Sequence, residues 1–183
     1  MTVALVLLWI FPNPRLPFLL GLLLLVYLAV VLVIDLEHKL ILHPVSLVGA
    51  VLGLGIGITL NSYGTTVVNG LVNTLIGGVF GFGVMLVLYF IGEAYVRYMS
   101  KKRGLPSDEV ALGFGVVILA GILGLLLGWP AIIVGLFFAI LVGGLVSLIL
   151  VIRMLISKKY KAFTAIPYAP FLILGALFLI FIL

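Results

Sequence analysis

Five acidic side chains are the scarce reactive groups of this 183-residue sequence: Asp35, Glu37, Glu93, Asp108 and Glu109. A carboxylate is costly near hydrocarbon, so the place where each one falls is informative. Asp35 closes an unbroken apolar run, LVYLAVVLVID, and is followed by LEHKLILHP. Two roles are open to it. One is an ion pair with Lys39, one helical turn further on. The other is acid or base work by a carboxyl group held at a membrane boundary. His38 and His43 stand nearby with Glu37. Their spacing matches no standard ligand pattern, so no metal site is expected. The chain contains no cysteine, which removes disulfides, thiolate metal sites and a cysteine nucleophile from consideration.

A second stretch, GFGVV from Gly113 to Val117, follows the charged run KKRGLPSDE. Two glycines there remove side chains so that something can come close, yet the next residue, Val116, has no ionisable group. The stretch lacks the third glycine and the preceding strand of a dinucleotide fingerprint, and no cofactor is expected. No lysine or histidine falls inside an apolar run. That argues against a proton-relay or retinal-type pump, and it weakens a transporter or channel reading.

The elements that must position these residues are membrane helices. The chain is 66% hydrophobic and 8% charged, and a spanning helix needs about 20 mostly apolar residues. Six runs qualify: Pro17 to Ile34, Val45 to Leu60, Val67 to Gly92, Val110 to Leu127, Ala131 to Ile156 and Ile166 to Leu183. Thr2 to Phe11 is shorter and stops at Pro12 and Pro14. It is read as a short first span rather than a cleaved signal, because no basic residues precede it and no small-x-small pattern follows. The expected fold is therefore an all-α polytopic membrane helix bundle of six full-length transmembrane helices plus a short N-terminal one, seven in total, forming one domain over residues 1–183. Glycines recur inside these runs, at Gly53, Gly55 and Gly57, at Gly77, Gly78, Gly81 and Gly83, at Gly121, Gly124 and Gly128, and at Gly143 and Gly144. Small residues of this kind let helix backbones approach one another, so they are read as packing positions.

Charge placement orients the bundle. Lys39, Arg97, Lys101, Lys102, Arg103, Arg153, Lys158, Lys159 and Lys161 fall in alternate connectors, and only Arg15 opposes them. The positive-inside rule assigns those connectors to the cytoplasm. The expected location is the cytoplasmic (inner) membrane, with basic loops cytoplasmic and the C-terminus outside. The net charge of +5 is then mostly topology. Anionic lipids are the expected partners of the basic loops, and no nucleic acid is expected because no reading motif accompanies them.

Three segments, in order, resemble the prepilin peptidase family, the intramembrane aspartic peptidases that process type IV pilin precursors. They are VIDLEHKLILHPVS, ALGFGVVILAGILGLLLGWP and AIPYAPFLILGA. The first resembles the stretch that carries the family's first catalytic aspartate, which places Asp35 on that position. The second is similar to the glycine-x-glycine-aspartate motif and the helix behind it. The third, Ala165 to Ala176, resembles the proline-bearing start of the last helix.

The resemblance puts the second catalytic aspartate at Val116, with the register held by Gly124 to Trp129, and puts the usual lysine at Ile118. An aspartic peptidase needs two carboxylates sharing one proton, and valine supplies none. Asp108 lies eight residues upstream of Val116, about 12 Å along a helix. Gly104 and Pro106 mark a bendable loop that could bring it back. The chain also lacks the cysteine-bearing N-terminal domain of many relatives, so pilin methylation is not expected.

These features imply a catalytically silent relative, kept as a structural or accessory subunit of a respiratory, photosynthetic or secretion complex and meeting other membrane subunits through helix faces. The alternative is an active aspartic endopeptidase using Asp35 and Asp108 on pilin-like precursors.

Overall fold

The computed structural model describes residues 16–38, 43–103, 113–156 and 168–182. Thr2 to Phe11, Lys39 and Asp108 lie outside the described residues. Six helices follow one another: α1 (Phe18–His38), α2 (His43–Asn61), α3 (Val67–Arg103), α4 (Phe114–Leu127), α5 (Ala131–Ile156) and α6 (Ala169–Ile182). No strand occurs among the described residues.

Four of the helices, α1, α2, α3 and α5, are long and apolar enough to cross a membrane, while α4 and α6 are shorter apolar helices. Seven spans are therefore not confirmed among the described residues. The runs expected from Val110 and from Ile166 appear as helices of 14 residues each, about 21 Å long against a hydrocarbon core of about 30 Å. The local reasons are legible. Gly113 holds extended backbone (φ −67°, ψ 134°) ahead of α4, and Gly128 ends α4 at φ +68°, a conformation that favours glycine. Pro170 sits in the first turn of α6, where a residue without an N–H is tolerated. In the other direction, α3 runs on from Gly92 to Arg103, 37 residues in all.

α4 is the central helix. It packs on α2, α3, α5 and α6, most extensively on α3, and its buried residues include Val116, Val117, Leu119, Ile122, Leu123 and Leu126. Between helices in lipid the hydrophobic effect gives no net drive, so close packing has to hold them. The α3–α4 seam shows how. A Cβ on Gly77 would lie 2.6 Å from the Gly128 Cα and would overlap the Gly124 carbonyl; one on Gly124 would lie 3.0 Å from the Gly78 Cα. On the other flank, a Cβ on Gly57 of α2 would run into the Leu125 backbone, and one on Gly175 of α6 would sit 2.9 Å from the Gly135 carbonyl oxygen of α5. Gly57, Gly77, Gly78, Gly81 and Gly124 thus act as the packing positions that their recurrence suggested, whereas a Cβ on Gly55, Gly83 or Gly144 would meet nothing within 4 Å, so recurrence alone does not mark a seam. Large apolar side chains such as Val79, Phe90, Phe137 and Ile149 face outward, as a membrane-embedded surface requires.

Candidate functional site

Asp35 lies in the last turn of α1, and the helix periodicity turns it inward. Leu24, Leu28 and Val31 are buried at 0–1% exposure, and Asp35 continues the same stripe at 3%, since positions three and four apart share a helix face. A carboxylate on this stripe has left water and must find a donor inside the protein. It finds a backbone one. The Ala169 N–H, at the start of α6, donates to Asp35 Oδ2 at 3.3 Å. The bond is slightly longer than the usual range, but its setting is favourable, because a helix N-terminus carries partial positive charge.

The position opposite in the motif has a different character. Val116 is the third residue of α4, is 4% exposed, and belongs to the same buried cluster as Val31 and Ala169. Its N–H donates to the Gly113 carbonyl at 3.0 Å, and no side chain caps this helix start. A carboxylate at this third position would meet the favourable end of the helix dipole; the isopropyl group contributes packing alone. Ile118 is partly buried against the same cluster, and Phe114 turns outward with its ring edge on Tyr89 at 5.7 Å.

The α1 end that carries Asp35 and the α4 start that carries Val116 lie at the same end of the bundle; Asp35 bonds the start of α6, and among the described residues the α1 and α4 backbones do not pack on each other directly. Asp108 lies outside the described residues, as does Lys39, the ion-pair partner in one of the two roles open to Asp35. Among the described residues no group of three or more His, Asp or Glu side chains could hold a metal ion. The Ala169 contact was not foreseen from the sequence, although the proline-bearing YAP step marks a helix start there.

The model of the type IV leader peptidase family matches residues 22–148, more than half of the chain. The chain belongs to this family. The matched region holds α1 with Asp35 and α4 with Val116, and it ends within α5, before Ala169. Comparison with curated proteins and with solved structures found no match. As a type IV leader peptidase family member with several apolar helices, the chain is a multi-pass membrane protein.

Proposed function

We propose that this chain is a catalytically silent member of the family, acting as a structural or accessory subunit of a larger membrane complex. One observation carries the reading: Val116, a buried aliphatic residue at a helix start, stands where the family's motif calls for the second aspartate. Activating water and polarising a scissile carbonyl takes two carboxylates holding unequal protonation states, and loss of one positioned acid or base costs about 10² to 10⁴ in rate. The apolar outer faces of α3 and α5 are the surfaces on which other membrane subunits would pack. The basic ends, with exposed Arg97, Lys101 and Lys102, would face the cytoplasm and anionic lipid.

The experiment is purification from native membranes in mild detergent, followed by stoichiometry of whatever accompanies the chain. A companion subunit in fixed ratio is expected. A free monomer that cleaves pilin-like precursors would overturn the reading in favour of a peptidase built on Asp35 and Asp108.

A further inference from the structure

We propose that Asp35 is a positioning residue for α6: its side-chain oxygen caps the last helix from across the bundle and seats it against α1. This deepens the silent reading of the same site, because it gives Asp35 a task that needs an acceptor oxygen and not an acid.

The donor inventory at the start of α6 leads there. With Tyr168 as the cap residue, the first turn would leave the N–H groups of its first three residues without helical partners. Pro170 has none to offer. Phe171 donates to the Tyr168 carbonyl at 3.2 Å, and Leu172 closes on the same oxygen at 3.5 Å. The Ala169 N–H is the donor left over, and Asp35 Oδ2 takes it. Ala169 is 0% exposed, so water cannot substitute. Elsewhere α6 leans on α5, through Gly175 on Gly135 and Tyr168 on Gly143. The bond from Asp35 is a polar tie between its first residue and a helix 134 residues earlier in the chain, and it links a residue inside the family match to a helix beyond it.

The absence of cysteine makes a direct test simple. Ala169→Cys in the full chain is alkylated with a small water-soluble maleimide, alone and combined with Asp35→Leu or Asp35→Asn. Labelling is expected to be slow in the parent and in the Asp35→Asn chain, whose amide oxygen can still accept. In the Asp35→Leu chain it rises about tenfold or more, the usual scale for losing a hydrogen bond to a charged group.

Equal labelling of the parent and the Asp35→Leu chain overturns the proposal. So does an Asp35→Asn chain that labels as fast as the Asp35→Leu chain. Should Asp35→Leu fail to fold, hydrogen exchange at the Ala169 amide of the unsubstituted protein decides. Protection like that of mid-helix amides supports the cap, and exchange at the rate of an open helix end overturns it. Cleavage of a precursor by the unsubstituted protein would sink the silent reading and leave the labelling result standing, so the two can fail separately.

Discussion

At the end of the bundle where α2 meets α3, Asn61 Nδ2 donates to the Gly57 carbonyl at 2.8 Å and to Thr74 Oγ1 at 3.1 Å, and the Trp129 N–H donates to the Asn73 carbonyl at 3.0 Å. At the opposite end a buried carboxyl group, Asp35, accepts from one backbone amide at 3.3 Å, and the motif position at the start of α4 is Val116. The first end is a neutral latch whose members sit within one or two connectors of each other. The second is a contact between distant segments through one ionisable side chain. The difference teaches that one end of this bundle is tied by neutral polar groups and glycines, while the other keeps one buried ionisable group and uses it as an acceptor.

The comparison breaks most sharply at the latch. Gly128→Val forces a β-branched residue to φ +68° and drives its Cβ into the Asn61 side chain, 2.6 Å from its Cγ. Backbone strain and overpacking together are expected to cost about 3 kcal/mol, read as a large fall in melting temperature in detergent. At the other end Asp35→Leu leaves the Ala169 N–H buried and unpaired, an expected loss of about 2 kcal/mol. Asp35→Asn is expected to keep most of that stability in the same melting experiment. Thr74→Val removes one neutral bond from Asn61 and is expected to cost about 1 kcal/mol; a loss larger than that of Asp35→Leu would reverse the ranking of the two ends. The smallest effect belongs to Glu93→Gln, which breaks the i,i+4 pair with Arg97 on α3. The Arg97 side chain is 73% exposed, so the change is expected to stay below about 0.5 kcal/mol and to shrink further with added salt.

Much of the helical layout could be read before any coordinates. The bounds of α5, Ala131–Ile156, and the start of α3 at Val67 follow from apolar runs flanked by Trp129-Pro130 and by NSYGTT. The packing role of Gly77, Gly78 and Gly124 follows from their recurrence within such runs. Two things did not follow. Hydropathy alone does not fix where α4 and α6 begin, because composition does not register extended backbone at Gly113 or a proline in the first turn of α6. The partner of Asp35 was also hidden. Lys39 is the nearest opposite charge in sequence, whereas the bond goes to a backbone N–H that no side-chain pattern reveals. Reading Asp35 as the end of the stripe Leu24, Leu28, Val31 would have shown that it points into the bundle.

The central claim is that a side chain without an ionisable oxygen at Val116 leaves this family member unable to cut its relatives' substrates. Its most direct test is cleavage of a pilin-like precursor with purified protein in excess, beside the Asp35→Ala and Asp108→Ala variants. The account predicts no cleaved product from any of the three. Product formed by the unsubstituted protein and abolished by either substitution would contradict it.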